Sequence, residues 1–389
     1  MPRKIAKRKI AFIITSFIHY SRNFLVLEEL NKRSDVELHV VLGGTALLSK
    51  YSSKYAHVRT MLEESGIKNI YEMYFNLEGD NHVVKAKTTG LGVIEFSTLF
   101  NNLKPDLVVV RGDRFEVLSA TIASAYMNIS IAHIEGGDLS GSIDESVRHA
   151  VTKLSHIHFA TNEPAKARIL KMGEDKKYVF NFGSPDVEVV HRIGNGKSID
   201  LGKTGSGAHI NPKEDYLMVM YHPVTNDSGD SSLHTKSLLK AIQETNMQTL
   251  WFWPNADVGT EEISRELRVF KDNAKNHKIH FMRYVSPKDF IWLLKNTRAL
   301  IGNSSAGLKE SSFLGVPVVN VGNRQQNRLR AENVIDVGYD PLAIKKAINK
   351  QLSVGRYPVS HLYKSTNTAK NIAGTLATID LYIQKKFVE

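Results

Sequence analysis

The segment Ile134–His156 reads IEGGDLSGSIDESVRHAVTKLSH and joins the end of an apolar run, a loop rich in glycine and serine, and the start of a helix. The apolar run that it closes, Ile129–Ile134, predicts a buried strand. Ser142 predicts the point where the helix begins, with Asp144 in the first turn, because free backbone N–H groups and the helix dipole favour such residues there. The rest of the chain is interpreted as the support of this strand–loop–helix unit.

Charged residues are concentrated along the same segment. Glu135 stands at the carboxyl end of the predicted strand, and Arg148 and His149 follow Asp144 by about one helical turn. Acids that face one another in a cleft are suited to proton transfer. We interpret the segment as part of an active site.

The first half of the chain alternates apolar runs with amphipathic segments. Together with Ile129–Ile134, the predicted strands are Ile10–Thr15, Val36–Leu42, Asp106–Val110, His156–Ala160 and Tyr178–Phe182. The predicted helices are Arg22–Lys32, Tyr51–Gly66, Lys85–Leu103, Phe115–Met127 and Glu163–Met172. Near-continuous Val and Ile runs that alternate with helices are typical of a parallel sheet covered on both faces. Ligands of such sheets bind beyond the carboxyl ends of the strands, so we expect Arg111–Arg114 to lie beside Glu135–Asp138.

The pattern restarts in the second half, after a glycine-rich stretch, Gly194–Pro212, that predicts a linker. The strands predicted there are Tyr216–Tyr221, Thr249–Trp253, Ile279–Met282, Ala299–Gly302 and Val316–Val321, and a last long helix is predicted at Thr368–Lys386. The predicted fold is therefore α/β, with two doubly wound, Rossmann-like parallel sheets facing a cleft. We assign residues 1–195 to an N-terminal domain with the acids and 196–367 to a C-terminal nucleotide-binding domain. A C-terminal helix, about 368–389, is expected to pack back on the first domain.

Composition excludes several classes of function. The 389 residues include no cysteine, which excludes disulfides, thiol catalysis and cysteine-ligated zinc. The formal net charge is +11, but five basic residues lie in Arg3–Lys9 and the others are scattered among acids, so we expect no nucleic-acid partner. No apolar run approaches the ~20 residues that span a bilayer. We expect a cytoplasmic enzyme with no membrane partner.

A second group of polar residues follows the predicted strands of the C-terminal half. After the strand Ala299–Gly302, the small residues Ser304 and Ser305 precede Glu310, and a turn of this kind suits a diphosphate. Glu310 could accept both hydroxyls of a ribose. The ending Gly-Lys-Ser/Thr of a Walker motif is missing, so ATP hydrolysis is not inferred. The alternative is a capped helix with a surface glutamate.

Two further strands end in polar residues. His222 follows the first strand of this half and Asn255 follows the second, while Arg324–Arg330 supplies three arginines suited to phosphate. A lone histidine is more often structural than catalytic, and a solvated loop remains the alternative for at least two of the arginines.

Five motifs in this order resemble the hydrolysing UDP-N-acetylglucosamine 2-epimerases, and the resemblance runs from about Ile10 to Tyr382. The motifs are Gly112-Asp113-Arg114, Ile134-Glu135-Gly136-Gly137, Ile143-Asp144-Glu145-Ser146-Val147-Arg148-His149, His222-Pro223-Val224-Thr225 and Gly302-Asn303-Ser304-Ser305. The resemblance implies the two-domain glycosyltransferase-B fold. It also implies elimination of UDP to a glycal, followed by hydration with inversion at C2.

The resemblance assigns a role to particular residues. The implied catalytic acids are Asp113, Glu135 and Asp144, and the implied cations of the cleft are Arg148 and His222. The residues implied for substrate and nucleotide binding are Arg22, Arg114, Asn255, Ser304, Ser305, Glu310 and Arg324. No metal or cofactor is required, the partners are a UDP-sugar substrate and the UDP product, and the family suggests a homodimer or homotetramer. Which acid takes the C2 proton stays open.

The loop after the first strand departs from the family pattern of Gly-Thr-Arg-x-Asp/Glu followed by a lysine. Phe17 replaces the arginine, His19 replaces the acid, and Arg22 could serve for the lysine. The exact sugar therefore stays open, and UDP-diacetylbacillosamine is one alternative. The others are a non-hydrolysing epimerase, a glycosyltransferase of the same architecture and an inactive sugar-nucleotide-binding protein.

Overall fold

The structure, a computed structural model, describes residues 7–48, 57–79, 81–193, 201, 204–224, 230–255, 257–273, 277–283, 285–363 and 366–389. The chain groups into two compact units. Unit 1 comprises Met1–Asp138, Asp144–Val189 and Lys364–Glu389, and unit 2 comprises Leu139–Ile143 and Val190–Tyr363. The five residues of the loop inside the predicted active-site segment thus group with unit 2.

Unit 1 contains a seven-stranded sheet in the order β3-β2-β1-β4-β5-β6-β7, and every pair is parallel. The strands are β1 (Arg8–Ile14), β2 (Val36–Leu42), β3 (Asn69–Glu72), β4 (Leu107–Arg111), β5 (Ser130–Ile134), β6 (Ile157–Ala160) and β7 (Val179–Asn181). The helices are α1 (Phe17–Asn31), α2 (Val58–Glu64), α3 (His82–Leu103), α4 (Phe115–Tyr126), α5 (Ile143–Leu154), α6 (Glu163–Lys171) and α7 (Pro185–Ile193), of which the last four residues group with unit 2. The strand order reverses between β1 and β4, and the carboxyl ends at such a reversal form the usual ligand crevice.

Unit 2 contains a second seven-stranded sheet, in the order β14-β13-β12-β9-β10-β11-β8. Its strands are β8 (Ser206–Gly207), β9 (Tyr216–Met220), β10 (Gln248–Phe252), β11 (Ile279–Met282), β12 (Ala299–Gly302), β13 (Val318–Val321) and β14 (Val334–Val337). Its helices are α8 (Ser231–Gln243), α9 (Thr260–Asn273), α10 (Pro287–Asn296), α11 (Glu310–Leu314) and α12 (Pro341–Val354). Among the strands formed by described residues of unit 2, only the short edge strand β8 is antiparallel. The strand order reverses between β9 and β12.

The two predicted doubly wound sheets are confirmed, but several helix and strand limits were wrong. Helix α1 begins at Phe17 rather than Arg22, because the hydroxyl of Ser16 accepts from the N–H of His19 and caps the helix there. The strands β3, β8 and β14 were missed because they are short and lie at sheet edges. Much of the predicted linker, and residues 51–56 of the predicted helix Tyr51–Gly66, lie outside the described residues.

The predicted C-terminal helix was too long. Helix α13 spans Thr368–Thr378 and packs against α1, but Ile379 is extended and the chain continues without helix. The ring of Tyr382 packs edge-on against His156, and its carbonyl accepts from the hydroxyl of Ser130 at 2.7 Å. These contacts with unit 1 replace the helical hydrogen bonds that the sequence pattern predicts.

Among the residues that the structure describes, no helix combines the length and the apolar character needed to cross a bilayer.

Candidate active site

Arg111, the last residue of β4, is the centre of a buried charge cluster in unit 1. Its Nη2 and Nε atoms donate to Oε2 of Glu135 at 2.8 and 3.0 Å, and Nη2 also contacts Oδ1 of Asp186. Burial alone lowers the pKa of Arg111, but the carboxylates of Asp186 and Glu135 outweigh that effect and hold the pKa above its ordinary value. The guanidinium therefore stays charged and fixes two carboxylates.

Glu135 follows β5 in the left-handed conformation, with φ of 72°. Its N–H donates to the carbonyl of Phe159 in β6 at 2.9 Å, and the carbonyl of Ile134 accepts from the N–H of Gly112 at 3.0 Å. A non-glycine residue in this conformation costs about 1–2 kcal/mol, so the surrounding hydrogen bonds must impose it. The turn points the side chain of Glu135 toward Arg111.

Asp113 and Arg148 form another ion pair of unit 1. Arg148 is buried on α5, and its Nη1 donates to the carbonyl of Asp138 at 2.8 Å. Asp138 in turn accepts from the amide of Asn162 at 2.9 Å. The side chain of Asp113 is 26% exposed, whereas that of Glu135 is 7% exposed, so Asp113 is the more accessible of the two acids.

The other predicted residues of unit 1 occupy different positions. Asp144 is half-buried in the first turn of α5, four residues before Arg148 and therefore on the same helix face. Arg22 lies on α1 with its Nε atom 3.9 Å from Oδ2 of Asp186. Arg114 donates to both carboxyl oxygens of Glu116, at 3.1 and 3.2 Å. The structure thus connects Arg22 with Arg111 and Glu135 through Asp186.

Two residues that the sequence did not assign to the site belong to this cluster. Asp186 had no motif to mark it; the only signal is an acid in the first turn of a helix that begins with a proline. His19, noted only as a departure from the family pattern, is buried, with Nδ1 3.0 Å from the hydroxyl of Thr15. Burial holds its pKa well below the usual value, and the positive charges of Arg114 and Arg111 add to this effect. His19 is therefore a neutral group beside the cluster.

In unit 2, Asn303 joins the carboxyl ends of β9 and β12. Its Oδ1 accepts from the N–H of His222 and its Nδ2 donates to the carbonyl of His222, both at 2.8 Å. Nδ1 of the His222 ring accepts from the N–H of Asn255 at 3.2 Å. Because Nδ1 is an acceptor, a neutral His222 carries its proton on Nε2. The predicted residues His222 and Asn255 are therefore neighbours.

The serine turn after β12 is shorter and tighter than the sequence suggests. The hydroxyl of Ser304 accepts from the N–H of Ala306 at 3.3 Å and caps a 3₁₀ turn, Ser305–Gly307. The helix expected directly after the turn is only the five-residue α11, and it begins at the buried Glu310. The alternative interpretation, in which Glu310 is a surface glutamate, is therefore wrong.

The three arginines after β13 differ in their surroundings. Arg324 donates to the carbonyl of Asn303 at 3.2 Å, which places it at the β12 turn. Arg328 is buried and donates to Gln325 at 3.0 Å, and Arg330 forms an ion pair with Asp336. Of the three arginines, Arg324 is the one that contacts Asn303 together with His222. The alternative interpretation of a solvated loop is wrong for Arg328, which is buried.

Comparisons with known proteins match most of the chain to 2-epimerases of UDP-sugars. A family model described as UDP-N-acetylglucosamine 2-epimerase matches residues 28–377. The chain is 30% identical over 377 residues, 97% of both chains, to the UDP-N,N'-diacetylbacillosamine 2-epimerase (hydrolyzing) of Legionella pneumophila. It is also 30% identical over 370 residues, 94% of both chains, to the UDP-N-acetylglucosamine 2-epimerase of Neisseria meningitidis.

The fold agrees with solved structures as well. The UDP-GlcNAc 2-epimerase of Methanocaldococcus jannaschii in complex with UDP-GlcNAc and UDP matches with a TM-score of 0.75 at 19% identity, covering 95% of this chain and 99% of that one. At this identity the match supports the fold, and the predicted glycosyltransferase-B type of architecture is confirmed.

Proposed function

The chain belongs to the UDP-N-acetylglucosamine 2-epimerase family, and on that premise we propose that it is a hydrolysing 2-epimerase of a UDP-linked 2-acetamido sugar. The proposed reaction converts UDP-N-acetylglucosamine and water to N-acetylmannosamine and UDP. The observation that carries the proposal is the pairing of two acids with buried arginines at the ends of neighbouring strands, Asp113 with Arg148 and Glu135 with Arg111.

The first proposed step is an elimination. A carboxylate takes the C2 proton, the C2–H electrons form the C1=C2 bond, and the C1–O electrons leave with UDP. The C2 proton is only weakly acidic, so the base must act together with stabilisation of the leaving diphosphate. We propose that Arg324, Ser304 and Ser305 bind the diphosphate, with His222 nearby, while Glu310 binds the ribose and Asn255 lies on the uracil side.

The second proposed step adds water across the glycal. A proton returns to C2 from the opposite face and hydroxyl adds to C1, which releases the free sugar with inverted configuration. Asp113 and Glu135 supply the two proton transfers, and Asp144 and Arg148 complete the group. The acid that takes the C2 proton starts ionised, and the acid that gives a proton to the opposite face of C2 starts protonated. Water supplies the hydroxyl at C1, and its remaining proton passes to the carboxylate that gave up its own. Arg148 and Arg111 hold the two carboxyl groups in position.

The overall proposal is tested by incubating the protein with UDP-N-acetylglucosamine in deuterated water and following the products by NMR. We expect free UDP and N-acetylmannosamine that carries deuterium at C2. A UDP-linked epimer would identify the non-hydrolysing reaction instead, and transfer to an acceptor without C2 exchange would identify a glycosyltransferase. UDP-sugars that stay unchanged in this assay and in the parallel assays with the other candidate sugars would indicate a binding protein.

UDP-diacetylbacillosamine is a second candidate substrate. A relative that matches over nearly the whole chain is named for that sugar, and the Phe17 and His19 loop departs from the pattern expected for the N-acetylglucosamine enzymes. Parallel assays with both UDP-sugars, and with the GDP-linked forms, decide between them through kcat/KM. In either case the product would be a mannosamine-type sugar suited to sialic-acid-like synthesis.

Substitution of the two acids separates the proposed steps. Asp113→Asn and Glu135→Gln should each lower turnover by about a hundredfold or more, while UDP binding changes little. A variant that lacks the first base retains intact UDP-sugar, whereas a variant impaired in hydration accumulates the glycal and UDP. Glu145→Gln, on the same helix as Arg148, is the matched control. Near-normal turnover in both acid variants would show that the chemistry lies elsewhere.

A further inference from the structure

Gln325 is a buried glutamine in the segment that carries the three arginines of unit 2. Its side chain is bonded at both ends. The Nε2 atom donates to the carbonyl of Asn303 at 2.8 Å, and the Oε1 atom accepts from Nη1 of Arg328 at 3.0 Å. These partners determine the orientation of the amide, because a carbonyl only accepts hydrogen bonds and a guanidinium only donates them. The donor end of Gln325 therefore faces Asn303.

The carbonyl of Asn303 is an acceptor that Gln325 shares with Arg324. Asn303 is fully buried, and Nη1 of Arg324 donates to the same carbonyl at 3.2 Å, so the amide of Gln325 is the closer of these two donors. Arg324 is partly exposed, and its guanidinium forms no ion pair with any residue that the structure describes. The charge of Arg324 is thus held at a neutral acceptor, which an anion can replace.

The main chain of this segment is held by bonds that do not involve the side chain of Arg324. The carbonyl of Gln325 accepts from the N–H of Arg328 at 3.2 Å and from Nη2 of Arg330 at 2.6 Å. Arg330 is itself fixed by its ion pair with Asp336. The guanidinium of Arg324 can therefore change its partner while the main chain beside it stays in place.

We propose that Gln325 is a positioning residue for diphosphate binding, which keeps the buried carbonyl of Asn303 bonded while Arg324 turns from that carbonyl to the diphosphate of UDP. The inference rests on the proposed function, in which Arg324 binds the leaving diphosphate. A buried carbonyl without a donor is unfavourable, so in the absence of Gln325 this loss would oppose the release of Arg324. With Gln325 in place, Arg324 exchanges a bond to a neutral oxygen for a stronger, charge-assisted bond to phosphate.

The inference is tested by calorimetric titration with UDP and by NMR titration with uridine, which lacks the diphosphate. Gln325→Met should raise the Kd for UDP by about tenfold or more, because the bound state then leaves the carbonyl of Asn303 without a donor. The Kd for uridine should stay the same. Gln326→Met, at the exposed neighbouring position, is the matched control and should change neither value. An unchanged Kd for UDP, or an equal rise for UDP and uridine, would overturn the proposal.

A double-mutant cycle with Arg324→Met tests whether the shared carbonyl is the cause. Arg324→Met should itself weaken UDP binding. In that background, Gln325→Met should have no further effect on the Kd for UDP, because no arginine leaves the carbonyl of Asn303 when UDP binds. Effects on binding that simply add in the double variant would contradict the exchange of partners.

Gln325→Glu tests the same point if the methionine variant does not fold, since it keeps the shape of the side chain and the acceptor for Arg328. It removes the donor to Asn303 and adds a charge that attracts Arg324, so it should also weaken UDP binding. Wild-type affinity in this variant would overturn the proposal. A wild type that binds no UDP would refute the proposed function together with this inference, whereas a wild type that binds UDP no more tightly than the Gln325 variants would refute this inference alone.

Discussion

The guanidinium of Arg111 forms ion pairs with two carboxyl groups, so this single residue affects the pKa of both. Glu135 and Asp186 both bond its Nη2 atom, and Asp186 also lies near Arg22. Three elements, β4, the turn after β5 and α7, are thereby held together by one charge. Burial of a carboxylate raises its pKa unless an opposite charge compensates, so the basicity of Glu135 depends on how Arg111 is shared.

Two substitutions should therefore change the pKa of Glu135 in opposite directions. Arg111→Met removes its counter-ion and should raise the pKa, whereas Asp186→Asn leaves Arg111 to Glu135 alone and should lower it. The measurement is a pH titration of the ¹³C-labelled glutamate carboxyl, which does not depend on turnover. Arg59→Met, at an exposed ion pair with Glu63, is the control. Shifts of the same sign in both variants would contradict a shared guanidinium.

The sequence predicted some of the residues in the ion pairs of unit 1 but did not predict Asp186. Asp113, Glu135 and Arg148 were predicted because each lies just after a strand or in the first turns of the following helix. Asp186 bonds a residue 75 positions earlier, and such a pairing depends on how α7 packs against the sheet. No local pattern carries that information, so the sequence could not assign a function to Asp186.

At the scale of elements, Asn303 is the residue that connects β9 with β12. Asn303→Ala would leave the buried N–H and carbonyl of His222 without their side-chain partner, and a buried polar group without a partner costs about 1–3 kcal/mol. We expect a lower Tm for unit 2 and weaker UDP binding, since Arg324 also contacts the carbonyl of Asn303. Calorimetry measures both effects.

The control for this substitution is Asn296→Ala, since the exposed side chain of Asn296 donates to the carbonyl of Trp292 in its own helix. It should change neither the Tm by much nor the affinity. A fall in Tm with unchanged UDP affinity in Asn303→Ala would mean that the strand-end cluster of unit 2 is structural and does not bind the nucleotide.

The bounds of strands in the interior of a sheet could be predicted from the sequence better than those of edge strands and of the C-terminal helix. The strands Ile279–Met282 and Ala299–Gly302 were predicted to the residue because each is a short run of buried residues in the sheet interior. The edge strand Val334–Val337 is only partly buried and carries no such run. The C-terminal helix was predicted too long because the apolar pattern typical of a helix continues past Thr378. In the structure, Tyr382 instead packs against rings of unit 1, and these contacts replace further helix.

At the scale of the whole molecule, unit 1 contains several buried histidines that resist protonation. Burial lowers the pKa of His19 and His158, and it lowers that of His133 to about 3, despite a hydrogen bond from the His133 ring to the carbonyl of Gly112. His19 lies in the first turn of α1, and His133 and His158 lie on the neighbouring strands β5 and β6. The folded chain therefore binds fewer protons than the unfolded chain wherever free histidine titrates.

This difference in bound protons determines whether the free energy of unfolding of unit 1 rises or falls in acid. Below about pH 6.5 the unfolded state takes up protons that the folded state excludes, so the free energy of unfolding should fall as the pH falls, by up to ~1.4 kcal/mol per pH unit for each such histidine. Glu174, whose pKa is about 2 because bonds from His158, Lys153 and Lys385 outweigh its burial, loses its stabilising contribution only below the ordinary glutamate range. Urea unfolding between pH 8 and about 5.5, above the range in which unfolded carboxyl groups titrate, therefore reports mainly the histidines. Replacing His133 with glutamine should reduce the slope by one proton, and a free energy of unfolding that stays constant over this range would refute the buried, neutral state of these rings.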